Sequence, residues 1–465
     1  MVAPPHAAAV ERIGQRSARH MNDLMRLAWP VMLSRAGILI MAFTDIAMLG
    51  RYRPGAVGEA NLGLSIFIPV LVVVIGLSSG IVAVVAQAYG RGDWAECGRC
   101  WRRAMVWGGV LSIIGAWVIW QGESLLILFG QTTALADSGG AVARALAPGL
   151  VAQVFFAVSA FYLEATRRPM VALIVMIFAN IANFGLNWLL IFGHAGFPEL
   201  GPVGAALAST LVRIGAAIAM VAVILFQRDA LAAGVRGPWE TFWGPDGWRA
   251  GYLMRKLGIS AGLSGGFETT GFAVMTMFAG QLGPLALDAY SISHNLVSTV
   301  FMIGLGLAVA TGVRVGIEIG RGRPDEAAFA GWTGALSAFL IMSAISALVF
   351  FGRDTVAAVY TDEPQVAART AALLAFSAFI FVPDAMQIVL GQAVRALGDA
   401  WIPIFCYALS FTALLVPLGW YLAIDLGWQE SGLAVAIIFA TAMATVTLEW
   451  RFRILTRTPL ESRRA

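Results

Sequence analysis

Charge is what this sequence has least of: 12% of its 465 residues are Asp, Glu, Lys or Arg, about half the share usual in soluble domains. With 59% hydrophobic residues and a mean hydropathy of +0.79, that scarcity excludes a water-soluble globular fold. Lysine is nearly absent. Lys256 stands alone and no GxxxxGK occurs, so there is no P-loop to cradle a nucleotide. Four histidines include no HExxH, and no spacing marks a serine with a histidine base. An enzyme is not expected, and no cofactor is called for. Three cysteines, odd in number and sparse, give no disulfide framework. Cys97 and Cys100 form a CxxC without a second pair or a redox context, which reads as chance spacing. The first 23 residues carry Arg12, Arg16 and Arg19 but no apolar core before Leu24, so they are expected to be a short cytoplasmic lead and not a cleaved signal.

What is abundant is apolar sequence in long runs. At about 20 apolar residues per crossing, the chain has room for roughly twelve transmembrane helices. Candidate spans fall near 24–50, 55–88, 101–121, 140–164, 169–193 and 202–226, then near 251–281, 286–318, 328–351, 366–395, 401–424 and 429–450. The expected fold is thus an all-α integral membrane protein. The stretch 227–250, polar and rich in Gly and Trp, reads as a cytoplasmic linker between bundles at 24–226 and 251–450, with a cytoplasmic tail at 451–465.

The net charge of +4 does not indicate nucleic acid, because the basic residues are scattered as short clusters between spans. One side holds Arg91, Arg99, Arg102, Arg103, Arg167, Arg168, Arg228, Arg236, Arg249, Arg255, Lys256, Arg321 and Arg323, with the basic residues of both ends. The other has Arg51, Arg53, Arg353 and Arg369. Basic loops stay inside, so both termini are placed in the cytoplasm.

Sliding the sequence by 230 residues brings Leu33-Ser34 onto Leu263-Ser264, Gly76-Leu77 onto Gly306-Leu307 and Gly90-Arg91-Gly92 onto Gly320-Arg321-Gly322. Duplication follows. Six crossings per copy keep one orientation, so the copies are related by a pseudo-two-fold axis along the membrane normal. Such parallel repeats build transporters.

A charged group inside a bilayer costs about 2.5–3.5 kcal/mol on insertion scales and is a functional candidate by default. Asp45 lies toward the outer end of the first span, and Glu268 and Asp384 fall near the middle of the seventh and tenth. Each is either paired with an arginine, with Arg35, Arg144, Arg213 and Arg314 available, or is a group periodically neutralised by a proton or sodium ion. Sodium needs several oxygen ligands, which Glu268 and Asp384 together begin to supply. Asn180, Asn183 and Asn187 recur on one helix face, as partners for a carboxylate such as Asp45 or as polar contacts between helices. Tyr290, Ser291, His294 and Asn295 bring polar groups into the eighth span. His294 is either a titrating group or a hydrogen-bonded interior residue. Gly258, Gly262 and Gly266 form a small-residue stripe for helix packing. Pro383, directly before Asp384, is expected to bend the helix there.

The run LAWPVMLSRAGILIMAFTDIAMLGRY resembles the first helix of multidrug and toxic compound extrusion (MATE) transporters, and VVAQAYGRGD the end of their second. GLSGGFETTGFAVMTMFAGQLG, HNLVSTVFMIGLGLAVATGVRVG and PDAMQIVLGQAVRALGD are similar to the NorM-type branch. The resemblance implies that Asp45, Glu268 and Asp384 occupy the family's acidic positions, the latter two in a cation site of the C-terminal bundle. Asn183, Asn187 and Asn295 match further polar positions. Ala289-Tyr290-Ser291 departs from the Ala-His-Gln of many relatives. The implied activity is secondary active export of amphipathic organic cations in exchange for sodium or protons, by alternating access, at a bacterial inner membrane. A flippase-like exporter of a lipid-linked or other amphipathic metabolite is the alternative. The chain is expected to act as a monomer.

Overall fold

The computed structural model describes residues 13–237 and 245–457, and among them every regular element is helical. In order these are α1 (Ile13–Tyr52), α2 (Ala56–Ser78), α3 (Ile81–Arg91), α4 (Trp94–Trp120), α5 (Gly122–Leu128), α6 (Thr133–Ala165), α7 (Met170–Phe192), α8 (Gly201–Phe226), α9 (Pro245–Ala250), α10 (Tyr252–Gln281), α11 (Pro284–Gly320), α12 (Pro324–Tyr360), α13 (Pro364–Ser377), α14 (Phe381–Ala396), α15 (Trp401–Tyr407), α16 (Leu415–Trp420) and α17 (Gln429–Arg457). Arg12, the middle of the linker at 238–244, and Arg463 and Arg464 of the tail lie outside the described residues.

Among the described residues, eleven rods are long and apolar enough to cross a bilayer, counting α2 with α3, α13 with α14, and 401–425 as one each. One more rod, α10, the seventh in chain order, brings the total to twelve; it is 30 residues long but less apolar, because its middle is built from Gly, Ser, Thr and Glu268. The boundaries follow local chemistry. Asp93 accepts from the Glu96 backbone N–H at 2.9 Å and opens α4. Pro202, Pro284, Pro324 and Pro364 sit in first turns, where a missing N–H breaks no bond. Gly92 and Gly322, 230 positions apart, end their helices with φ of +76° and +71°. The tenth rod bends by 46° at 378–380, as expected from Pro383. The eleventh widens into π-helix at Ala408–Leu414 and Tyr421–Asp425. The first widening precedes Pro417, whose ring nitrogen cannot bond the carbonyl four residues back.

α1–α8 pack as one bundle and α10–α17 as another, and the two meet through α1 on α11, α2 on α10 and α3 on α11. This interface carries the sequence repeat. A Cβ on Gly76 would stand 2.7 Å from the Gly262 Cα, and one on Gly306 would stand 3.1 Å from the Met32 Cα. Under the 230-residue shift these are the same contact. Likewise, a Cβ on Gly90 would collide with the Ile317 carbonyl, and one on Gly320 with that of Gln87. Gly316 faces Ala86, its own counterpart, so that pair lies on the pseudo-two-fold axis. Close backbone approach through small residues is how helices associate tightly in lipid. Gly258 and Gly262 serve it against Leu77, whereas a Cβ on Gly266 would touch nothing within 4 Å.

The seal is confined to the end of the bundles that carries the described termini. Gly306–Glu318 of α11 is buried without interruption, but its first half, 284–303, exposes residues on nearly every turn. α1 likewise exposes Ile40, Phe43 and Ile46 toward the opposite end. The bundles are closed at the terminal end and splayed at the other. At the closed end, Arg16 pairs with Glu326 at 3.1 Å, His20 Nε2 meets the same carboxylate at 2.7 Å, and Arg314 reaches the His20 ring at 2.9 Å and Asp23 at 3.7 Å. The expected lead is therefore no separate segment over its described part: α1 runs through it from Ile13 and is tied to the other bundle. The first half of the linker also packs down, with Ala230, Ala233 and Val235 buried and Gly234 against the Ala95 carbonyl.

Candidate functional site

Two acidic clusters form, one in each bundle. In the first, α1 brings Asp45 against α7 and α8. Asn187 Nδ2 donates to Asp45 Oδ1 at 2.5 Å, and Ser209 Oγ donates to Oδ2 at 2.7 Å. Asn187 also donates to Asn183 Oδ1 at 3.2 Å, and both asparagines are fully buried. Asn180, the third member of the expected face, is not at the carboxylate. Its Nδ2 bonds the Met176 carbonyl one turn back, and it sits opposite Gly37, about two turns of α1 before Asp45.

In the second cluster, α10 presents Glu268 and the first turn of α14 presents Asp384, where the helix dipole favours negative charge. Gln387 Nε2 donates to Glu268 Oε1 at 2.8 Å and to Asp384 Oδ1 at 3.0 Å. One amide nitrogen thus bridges both acids, whose accepting oxygens are less than about 6 Å apart. At an effective dielectric near 20, two full charges at that distance repel by about 3 kcal/mol, which a cation between them or a shared proton would relieve. Gln387 Oε1 and, one turn before Glu268, Ser264 Oγ are buried and unpartnered. Asp384 and Gln387 are 4% and 0% exposed. The preceding Pro383 carbonyl accepts from Thr445 Oγ1 at 2.8 Å, fixing the bend that aims Asp384 inward.

Among the described residues, none of the four arginines considered as permanent partners forms an ion pair with these acids within 4 Å, although the charge of Arg213 reaches Asp45 at longer range. Arg35 takes Glu164 at 3.4 Å, Arg144 takes Glu123 at 2.7 Å, Arg314 takes Asp23, and Arg213 stacks on Phe67 at 4.7 Å. Arg395, the last residue of the expected span 366–395, is 7% exposed and donates to Ser260 Oγ at 3.3 Å.

The polar residues of α11 divide between two faces. Tyr290 and His294 stack with ring centroids 5.9 Å apart, and Phe272 meets His294 at 5.3 Å. They line a small cavity with Ser293 and Ser377, whose hydroxyls are 2.6 Å apart. Ser291 and Asn295 occupy the neighbouring exposed ridge, where Asn295 accepts from the Tyr360 hydroxyl at 3.1 Å. Cys97 and Cys100 are buried and free. Their thiols contact the Asp93 carbonyl at 3.4 Å and Glu96 Oε1 at 3.4 Å, and among the described residues no cluster of three metal-binding side chains occurs.

Sequence reasoning missed Gln387, Ser209 and Ser264. Gln387 had a usable signal: an amide three residues after a buried acid shares its helix face. The serines lie in small-residue runs that read as packing.

A family model, MatE, matches twice, over residues 30–189 and 261–421, which are the two copies of the repeat. The chain belongs to the MatE family. MATE proteins are transporters and not enzymes. A protein of Caulobacter vibrioides described as a probable multidrug resistance protein NorM is 33% identical over 93% of this chain and 91% of its own length. The multidrug resistance protein PmpM of Pseudomonas aeruginosa is 28% identical over 94% and 92%. Among solved structures, the eukaryotic MATE transporter AtDTX14 superposes with a TM-score of 0.86 at 18% identity, covering 95% of this chain and 98% of that one. The outward-facing conformation of a multidrug resistance MATE transporter gives 0.83 at 17% identity, over 94% and 97%. The MATE fold therefore extends over nearly the whole chain.

Proposed function

We propose that this protein is a multidrug efflux transporter that exports amphipathic organic cations across a bacterial inner membrane in exchange for sodium ions or protons. The relatives named as multidrug resistance proteins support the substrate class. The exchange mechanism rests on one observation: Glu268 and Asp384 share a single neutral donor and, among the described residues, neither forms a close ion pair with an arginine, the nearby charge of Arg395 reaching Glu268 at longer range, so an arriving cation completes the balance. Asp45 with Asn183, Asn187 and Ser209 forms a second polar cluster across the membrane-embedded cleft. The arginine bias of the loops supports cytoplasmic termini, which makes the splayed end the outward one. Alternating access then consists of opening the glycine-lined seal while the splayed end closes. Cation and drug binding are mutually exclusive, so ion entry from outside releases the drug there.

The test is dye efflux from proteoliposomes under an imposed sodium gradient and then an imposed pH gradient. At least one should drive efflux in the wild type and neither in a Glu268→Gln, Asp384→Asn double variant. Ion-driven efflux that survives the double variant would sink the mechanism.

A further inference from the structure

A groove of about 360 Å³ opens at the terminal end where the two bundles meet, distant from both acidic clusters in the fold. It is lined by Trp107 of α4, Trp248 of α9, Tyr252, Arg255, Lys256 and Ile259 of α10, and Ala400, Trp401 and Ile404 around the start of α15. Its contents sort into three chemistries. Trp248, Tyr252 and Trp401 are each more than half exposed, at the helix ends where amphipathic rings occupy the headgroup level. Ile259, Ile404 and Trp107 form an apolar wall running away from that level. Arg255 and Lys256 supply two positive charges, and among the described residues no carboxylate lines the groove.

Among the described residues, neither cation is paired with an acid. Arg255 donates to the Trp248 carbonyl at 2.6 Å and lies 3.6 Å over the Trp248 ring, which orients its guanidinium without neutralising it. Lys256 makes no ion pair among the described residues. The nearby Asp399 is already held by Arg451 at 2.6 Å. The groove also spans the seam between bundles. Trp107 Nε1 donates to the Leu77 carbonyl at 3.3 Å, and Leu77 packs on Gly258 and Gly262 of α10.

We propose that this groove binds an anionic phospholipid of the terminal-side leaflet. Its phosphate accepts from Arg255 and Lys256, its headgroup lies among the tryptophans, and an acyl chain runs along Ile259 and Ile404. Basic pockets between transmembrane helices bind anionic headgroups in this way. Because both bundles contribute to the wall, a bound lipid braces the sealed end and favours the conformation described here.

Lys256, the single lysine of the chain, makes the site directly readable. Purified full-length protein in detergent would be supplemented with dioleoylphosphatidylglycerol, dioleoylphosphatidylcholine or inorganic phosphate, and acylation of Lys256 by an amine-reactive ester followed by peptide mass spectrometry. Phosphatidylglycerol should protect Lys256 with about thirtyfold preference over phosphatidylcholine, the ratio set by two basic contacts, and phosphate alone should not protect. Arg255→Gln should abolish most of that preference. In parallel, Lys256→Gln should unfold at the wild-type temperature in phosphatidylcholine but lose the upward Tm shift given by phosphatidylglycerol. Equal protection by both lipids, protection by free phosphate, or a preference that survives Arg255→Gln would overturn the proposal. So would an undiminished Tm shift in Lys256→Gln.

Discussion

The two acidic clusters stand on duplicated backbones yet solve opposite electrostatic problems. Asp45 is one carboxylate with two neutral donors, one for each oxygen. Glu268 and Asp384 are two carboxylates with one donor between them. In the 230-residue register Asp45 corresponds to Met275 and Glu268 to Ile38, so neither acid was inherited in both copies. The duplication kept the packing glycines and diverged in the polar positions. The N-terminal carboxylate has a hydrogen-bond donor for each oxygen, whereas the C-terminal pair has one donor for two acids, and that shortage is why the proposed mechanism puts its coupling cation in the C-terminal bundle.

The largest effect should come from the C-terminal pair. Glu268→Gln and Asp384→Asn, made singly, should each lower ion-driven efflux by at least about tenfold, since each leaves the other acid without the partner that makes a two-carboxylate cation site. The double variant should be little worse than the worse single one, as measured by initial rates under a sodium or pH gradient. Additive losses would mean that the acids act separately. Next, Asp45→Asn should weaken the apparent affinity for a cationic dye by about tenfold while leaving the ion-concentration dependence unchanged. A lost ion response in that variant would erase the division of labour between bundles.

Gln387→Leu sharpens the comparison further. Hydrogen bonds to charged groups contribute about 1.5–3 kcal/mol, and the Gln387 amide favours the cation-free state of both acids. Its removal should tighten cation binding by about tenfold and slow release, seen as a lower half-saturating ion concentration together with a lower maximal rate. A sodium ion would also lose Oε1 as a ligand, which acts in the opposite direction, whereas a proton would not. Tightening in a pH titration without tightening in a sodium titration would point to protons.

Much of this is legible in the sequence alone. Apolar runs fixed the rods, because a bilayer permits little else, and a carboxylate in an apolar run is conspicuous. The repeat was visible in its helix breakers, and its register reappears in the glycine contacts between bundles. What escaped were features that depend on azimuth and bending. Asn180 shares a helix face with Asn187, but α1 crosses that face so that Gly37 meets one and Asp45 the other. Ser291 and Asn295 are as polar as Tyr290 and His294, yet one step of about 100° puts them on the exposed ridge. Arg395 closes its apolar run, and its burial depends on contacts with Ser260 and Tyr407 of other helices, which the run itself does not show. The π-helical turns of the eleventh rod have no periodicity signal beyond the proline that follows the first.

The smallest effect is expected at Ser209, and its size measures how self-sufficient the N-terminal cluster is. Ser209→Ala removes the donor to Asp45 Oδ2 and leaves Asn187 on Oδ1. The methyl group that remains fits where the serine Cβ already sits, so no cavity opens. Asn183 Nδ2 is buried beside the same carboxylate without a hydrogen bond of good geometry, a donor that can tighten onto it when Ser209 no longer holds it. The variant should therefore transport dye at a rate within about fivefold of the wild type, well short of the change caused by Gln387→Leu. Asn183→Ala combined with Ser209→Ala should then cost more than the two separately, because the spare donor is gone. Strict additivity in that cycle would show that Asn183 is no substitute and that Asp45 depends on each donor alone.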